Sequence, residues 1–333
     1  MKRIKDTDYL AISARIRAME NTLLTRERME RILEARTEEE AVKILEECGY
    51  SGLEDATPEG IDANLLAARQ EMLRDLGDSL PDQGFLDIFR LKYDYHNVKT
   101  LLKARLAGVK AEHILMNLGR ISPQELTAAL ESGDLDALPG LLGPAAAEAK
   151  EILDTTRDGQ LSDIALDRWY YREMEAIAKA SGSGFLEGFV RLQIDAANLR
   201  ALVRTIRMGK NADFLKLVLL EGGHIAAEEL LSVSAGKGSG LAELYAPTVF
   251  RAAAESGAAA LGGGPLTEFE KRCDDAVSTY LSDARFVPFG EQAVLAYLEA
   301  RETEYTNLHI LLLGRSMGLD PEVIRSRLRE SCV

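Results

Sequence analysis

Three segments of the sequence repeat one polar pattern: an acidic residue, an asparagine three residues later, and a basic residue or histidine two residues after that. The three sets are Asp94, Asn97 and Lys99; Asp195, Asn198 and Arg200; and Glu304, Asn307 and His309. An aliphatic residue follows each asparagine, and an aliphatic pair closes each segment. Carboxylate, amide and cationic groups can bind charged or hydrogen-bonding groups of a partner, so these residues are candidate binding positions.

Helical spacing sorts each segment into an apolar face and a polar stripe. Lys103 and Arg204 lie four residues after Lys99 and Arg200, so each pair would form a cationic stripe beside the apolar face. Two interpretations stay open. The cations could be solvated while the acid and asparagine cap or bridge neighbouring helices, or the three helices could line a shared opening that receives a partner.

The three asparagines lie 101 and 109 residues apart, a spacing that indicates a duplicated small domain rather than a short solenoid repeat. A second element accompanies the copies, with proline after Ser122 and after Asp320 predicting helix starts. The segments Ile121–Leu126, Ile225–Leu230 and Leu319–Ile324 resemble one another, and Leu24–Met29 has the same general pattern. Further helices are expected over residues 60–77, 162–181 and 266–284, upstream of each anchor.

The sequence therefore predicts an all-α fold of three similar helical-bundle units with pseudo-threefold symmetry, arranged as a closed funnel. We expect units over residues 58–157, 158–264 and 265–333. The N-terminal helical segment 1–57 would complete the third unit. Abundant Ala, Leu, Glu and Arg, with no convincing alternating strand pattern, favour helix throughout.

Composition argues against several classes of partner and site. The formal net charge of −14 disfavours nucleic acid, whose binding depends on cations that neutralise phosphates. The apolar run 308–313 is too short to span a membrane, and no apolar signal segment follows Met1. The three cysteines lack metal or redox spacing and are expected to be reduced cytosolic thiols. No metal site or cofactor is predicted.

Two apparent motifs are rejected. Residues 234–240 suggest a phosphate loop but lack its first glycine, its Ser or Thr after the lysine, and a preceding strand. Residues 154–165 suggest a calcium loop, yet Ala165 occupies the position of the bidentate glutamate. No nucleophile, base and acid grouping is recognisable, so a catalytic role is not expected.

With these anchors, the chain resembles the family of C-type subunits of bacterial and archaeal V-type ATPases, known as d-type subunits in eukaryotic enzymes. The resemblance extends over essentially the whole chain. Its most specific parts are 89–103, 198–200, 288–291, 300–302 and 307–308.

The resemblance implies a non-catalytic rotor-stalk subunit at the cytoplasmic face of the membrane. Such a subunit would couple the central shaft, made of D-type and F-type subunits, to the proteolipid ring during proton or sodium transport. Two alternatives remain: a helical scaffold that captures an unrelated peptide or helix, and an all-α enzyme with acids or histidines converging in a closed pocket.

Overall fold

A computed structural model describes residues 5–50 and 57–332, apart from the side chain of Gln83. Within those ranges the chain forms α-helices, short 3₁₀ turns and loops, which confirms the predicted all-α class. The helices are α1 Leu10–Met19, α2 Arg26–Glu34, α3 Glu38–Glu47, α4 Pro58–Ser79, α5 Asp87–Ala107, α6 Pro123–Ser132, α7 Leu142–Thr156, α8 Gly159–Ser181, α9 Gly184–Arg207, α10 Ala212–Val218, α11 Ala227–Ala235, α12 Leu241–Tyr245, α13 Arg251–Leu261, α14 Leu266–Leu281, α15 Glu291–Ser316 and α16 Pro321–Arg327.

Two compact units emerge from the packing. The larger comprises Met1–Pro81, Leu202–Lys210 and Ser232–Val333, and the smaller comprises Asp82–Ala201 and Asn211–Leu231. The division into four segments at residues 57, 157 and 264 stays a prediction. Parts of its N-terminal segment, and its last residue Val333, lie outside the described residues.

The smaller unit is built around α5, α7 and α8. Ala145, Ala146 and Ala149 of α7 are fully buried, and their small side chains let α8 pack closely on this helix. On α5, Val98 and Leu102 are buried on the face that the apolar spacing predicted. This packing fixes the rotation of α5 and thereby the direction of its polar residues.

The larger unit is built around α15, the longest helix in the described residues. Helices α1, α4 and α14 pack on it, and Leu295, Leu308 and Leu311 are buried there. The N-terminal helix α2 is held by side-chain bonds as well. Arg315 donates to the backbone oxygens of Ile32, Leu33 and Ala35 at the end of that helix.

The same turn ends the three anchor helices. A glycine in the left-handed conformation stands eleven residues after each asparagine, at Gly108, Gly209 and Gly318 with φ of 67°, 66° and 65°. The next N–H then bonds to the carbonyl five residues back: Val109 to Ala104, Lys210 to Thr205 and Leu319 to Gly314, at 3.0, 3.1 and 2.9 Å. This Schellman turn requires a positive φ, which explains glycine in all three copies.

One predicted match between the copies is wrong. Both predicted caps are present, since Ser122 and Asp320 accept backbone N–H bonds and a proline begins α6 and α16. However, α16 lies between Asn307 and the residue that this asparagine bonds, Arg329. The turn at Glu112–Ile114 and helix α10 hold that place in the other copies, so α16 corresponds to them and not to α6. The error arose because any Asp-Pro or Ser-Pro cap looks alike at this length.

Within the described ranges, no helix combines the length and the apolar character needed to cross a membrane.

Candidate functional site

Each repeated asparagine holds one distant residue by both of its backbone groups. The side-chain amide donates from Nδ2 to the backbone oxygen and accepts from the backbone N–H at Oδ1. The bonds join Asn97 to Met116 (2.8 and 2.9 Å), Asn198 to Leu220 (2.9 and 2.8 Å) and Asn307 to Arg329 (3.0 and 2.7 Å). We call this arrangement the asparagine clamp. It fixes the loop after each anchor helix, because a buried amide pair imitates one rung of backbone pairing.

In the first copy, the acid takes part in a buried ion network. Asp94 accepts from the backbone N–H of Arg120 at 3.0 Å and from its Nε at 2.7 Å. Arg120 also donates to Glu173 at 2.6 Å, and Tyr95 donates to the same carboxylate at 2.8 Å. Burial raises the pKa of Asp94, although the bonds from Arg120 oppose that effect. One arginine thus compensates two carboxylates that have almost no contact with solvent.

The second copy repeats this geometry with histidine. Asp195 Oδ1 accepts from the backbone N–H of His224 at 2.8 Å and of Ile225 at 3.3 Å. Its Oδ2 lies 2.7 Å from Nδ1 of the His224 ring. In both copies, therefore, one carboxylate oxygen holds the loop backbone and the other takes the basic side chain.

The third copy departs from this scheme. Glu304 Oε1 accepts from the Tyr50 hydroxyl at 2.6 Å and from Arg301 at 3.0 Å, and the Leu24 N–H favours its ionised form. Burial is the largest influence and raises the pKa of Glu304 overall. Oε2 of the same carboxylate is buried and has no hydrogen-bond partner among the described residues.

A glycine precedes the basic residue in the first two copies. A Cβ on Gly119 would overlap Asp94 Oδ1, and one on Gly223 would overlap Asp195 Oδ1. The carboxylate can reach the next N–H only because these positions lack a side chain. In the third copy the residue before Leu23 is Thr22, and the acid is the longer glutamate.

Replacing Gly119 with alanine tests this close approach. We expect Gly119→Ala to lower the free energy of unfolding by about 1–3 kcal/mol, because the added methyl displaces the Asp94 carboxylate. Urea unfolding followed by circular dichroism measures the change. Gly184→Ala is the control, since a Cβ there meets open space, and we expect a change below about 1 kcal/mol. Equal effects of the two substitutions would contradict the proposed overlap.

Four of the five predicted cationic positions lie beside a carboxylate of the chain. Lys99 and Lys103 of α5 lie 2.5 Å from Asp167 and Asp163 of α8, and Arg204 lies 2.7 Å from Glu270. His309 faces Asp62 at 3.2 Å. Burial raises the pKa of Tyr171 to about 12, and the charge of Arg200 opposes that effect. Lys103, Arg204 and His309 remain substantially exposed. A partner could therefore compete for these cations.

The predicted site residues thus fall into two groups. Asp94, Asn97, Asp195, Asn198, Glu304 and Asn307 are buried, and their hydrogen bonds described above join parts of the chain itself. Lys99, Lys103, Arg200, Arg204 and His309 form the second group, which is at least partly accessible. Contact of either group with a partner stays a prediction.

Sequence reasoning missed the residues that complete the network: Arg120, Glu173, His224 and Tyr50. A signal for two of them was present. Gly-Arg-Ile and Gly-His-Ile occupy the same place before α6 and α11. No local pattern marks Glu173 or Tyr50, which reach their partners from distant helices or loops.

The clamps and ion networks are suited to holding loops rather than to bond-making chemistry. Within residues 5–50 and 57–332, no group of three or more His, Cys, Asp or Glu side chains could hold a metal ion. The buried carboxylates of the first two copies are bonded to basic groups. What the arrangement supplies is three similarly fixed helix ends.

The family described as ATP synthase (C/AC39) subunit matches residues 12–327. The chain belongs to that C/AC39 family. The C subunit of the V-type sodium ATPase of Enterococcus hirae is 24% identical over 324 residues, covering 97% of this chain and 98% of the relative.

Archaeal members of the C/AC39 family are similarly related. The C subunit of the A-type ATP synthase of Thermococcus kodakarensis is 27% identical over 338 residues, covering 96% of this chain and 90% of the relative. The protein of the same description from Methanocaldococcus jannaschii is 28% identical over 349 residues, with 96% and 86% covered. The family resemblance inferred from the repeated segments is therefore confirmed.

Proposed function

We propose that this chain is a non-catalytic central-stalk subunit of a V-type or A-type rotary ATPase, where it joins the rotor shaft to the membrane proteolipid ring. The observation that carries the proposal is the family match over residues 12–327, with relatives matched along nearly their whole length. In this role the chain sits peripherally at the cytoplasmic face of the membrane and transmits torque during proton or sodium transport. Tightly packed helices suit that task, because close-packed interiors deform little under load.

The proposal includes a closed funnel of three related units in which the N-terminal segment completes the third. Contacts inside the larger unit support completion of the third unit by the N-terminal segment. Helix α2 begins at the cap Thr25, as α6 begins at Ser122, and the preceding Leu24 lies at the acid Glu304 as Ile121 lies at Asp94. Arg325 additionally bonds to Glu30 of α2 at 2.8 Å.

We propose that the end of each of the three anchor helices faces the ring. We call them the helix tips: residues 106–114, 208–217 and 317–323. Val109, Met208 and Met317 on these tips are 62%, 56% and 65% exposed. Most of the large exposed apolar side chains in the described residues lie on the tips, the others being Leu106, Ile114, Leu217, Leu319 and Val323. Met208 and Met317 stand one residue before the turn glycine and Val109 one residue after it, so each tip carries an exposed apolar residue next to its turn. Exposed apolar residues gathered in this way are typical of docking surfaces.

The accessible cations are the proposed shaft-facing positions. Lys99, Lys103, Arg200, Arg204 and His309 lie on the anchor helices, between the clamps and the tips. These residues are cationic in a chain whose net charge is −14. Carboxylates of a shaft helix could replace Asp163, Asp167 or Glu270 as their partners.

Capture from mild-detergent extracts tests the proposed function. We expect a tagged chain to bring shaft and proteolipid subunits in stoichiometric amounts. The triple variant Val109→Glu, Met208→Glu and Met317→Glu should reduce recovery of the ring at least tenfold and retain the shaft. Three charges on the tips replace apolar contact with a desolvation cost of about 1–3 kcal/mol each.

A matched control separates the tips from the rest of the surface. Val249→Glu changes an exposed valine, 40% accessible, outside the tips, and should leave ring recovery unchanged. Equal loss in both variants would refute the ring-facing role of the tips. Reproducible absence of both shaft and ring subunits from the wild-type capture would refute the proposed function and favour a general helical scaffold.

A further inference from the structure

The third copy lacks a basic residue that the first two copies possess. Arg120 and His224 each stand two residues before the residue that immediately precedes helix α6 or α11. Each bonds through its backbone N–H and its side chain to the repeated acidic residue of its copy. The residue two positions before the cap Thr25 is Leu23. Leucine has no polar side-chain atom, so it cannot donate the second bond.

The consequence is an unsatisfied carboxylate oxygen next to an empty space. Glu304 is only 5% exposed, and its Oε2 is buried without a hydrogen-bond partner in the part of the chain described. A cavity of about 210 Å³ opens on this side chain, with walls that include Leu23, Leu24, Ala300 and Asn307. A buried oxygen without a partner costs about 1–3 kcal/mol, which a donor entering the cavity would recover.

We propose that a lysine or arginine side chain of a partner protein enters this cavity, which we call the Glu304 cavity, and bonds to Oε2 of Glu304. The incoming group takes the place that Arg120 and His224 fill from within the chain in the other copies. The inference deepens the proposed function and rests on it for one point, that the partner is another subunit of the rotary complex.

The walls fit such a side chain. Leu23, Leu24 and Ala300 provide apolar contact for a methylene stem, and Glu304 lines the same cavity. The volume far exceeds the roughly 10–15 Å³ that a single water needs.

The arginine side chains on or beside the cavity wall make other contacts and do not bond to Oε2 of Glu304. Arg17 lines the cavity but is paired with Glu20 at 2.7 Å and donates to the carbonyls of Ala284 and Val287. Arg301 bonds to Oε1 of Glu304 rather than to Oε2. Arg285, also on the wall, stacks 4.7 Å from the ring centre of Phe286, which is 72% exposed and offers the partner an apolar contact.

Methylguanidinium, a stand-in for the end of an arginine side chain, provides the test on the intact chain. We expect it to shift the ¹³C carboxyl resonance of Glu304 saturably, with a dissociation constant on the order of 1–10 mM for a ligand of this size. A crystal soaked with the probe should show the guanidinium bonded to Oε2.

Substitutions at Leu23 give matched variants. Leu23→His supplies the internal donor that the second copy uses, and should weaken probe binding at least tenfold. Leu23→Met retains an apolar side chain of similar volume and should bind within about twofold of the wild type. Glu304→Gln removes the charge and should also abolish binding.

Several results would overturn the inference: no saturable shift in the wild type, equal binding by Leu23→His, or crystals with water alone at Oε2. Because the probe acts on the isolated chain, its outcome is independent of assembly. A chain that binds methylguanidinium but captures neither shaft nor ring contradicts only the proposed function and its choice of partner.

Discussion

Arg120→Met should lower the free energy of unfolding by about 3–5 kcal/mol at pH 7. Methionine fills similar space but leaves Asp94 and Glu173 buried without their shared cation. Removing one partner of a buried ion network costs this much because the remaining charges keep their desolvation penalty. Urea unfolding monitored by circular dichroism at several pH values measures both the loss and its pH dependence.

The pH dependence of this variant follows from the sign of the carboxylate pKa shift. Burial already raises the pKa of Asp94, and loss of Arg120 removes the main opposing influence. A folded-state pKa above the unfolded value means that the native state binds protons more readily, so its stability rises as the pH falls. The deficit of Arg120→Met relative to wild type should therefore shrink between pH 7 and pH 5.

Arg105→Met is the matched control for this prediction. Arg105 pairs with Asp154 at 2.9 Å in the same unit, but both side chains are about half exposed. Exposed ion pairs contribute about 0–1 kcal/mol, so the control should lose no more than that and show no recovery at low pH. A comparable loss in the two variants would contradict the importance assigned to the buried network.

Asn198→Ala should lower the free energy of unfolding by about 2–6 kcal/mol. The substitution removes both bonds of the second asparagine clamp and leaves the buried N–H and carbonyl of Leu220 without partners. Each unsatisfied backbone group contributes about 1–3 kcal/mol of this cost. Hydrogen exchange should also show the Leu220 amide opening faster, because its protecting acceptor is gone.

Asn21→Ala serves as the control for the clamp. The Asn21 amide also bonds to backbone carbonyls, at 3.2 and 3.3 Å, but it is exposed and water can replace it. We expect a loss within about 0.5 kcal/mol there. If Asn198→Ala were no more destabilising than Asn21→Ala, the clamp would not be the element that fixes the loop.

The buried acid and the asparagine clamp, which these two predictions test, both fix loops that follow the anchor helices. The asparagine of each copy fixes a residue 19 or 22 positions further on, and the acid fixes the loop that leads to the next cap. Together they determine where each helix tip ends. The clamp and the glycine turn are present in all three copies, whereas the third copy lacks the glycine and the basic residue that accompany the acid in the other two.

Much of the local structure was predictable. Helices over 60–77, 162–181 and 266–284 are present as α4, α8 and α14, because helix propensity, proline and capping residues act within one turn. The pattern also singled out the three asparagines, although their bonding partners were not foreseeable. The match of α16 with α6 failed because a cap motif carries no information about which loop it follows.

The amino-acid sequence by itself determined the all-α class, the threefold repetition and the helix starts, because these follow from interactions between near neighbours and from periodicity. Only the tertiary structure decided which groups the repeated acids meet. Arg120 reaches Asp94 across 26 residues, and Tyr50 reaches Glu304 across 254. These contacts depend on how α5 packs within the smaller unit and how α15 packs within the larger one, so no local sequence pattern can specify them.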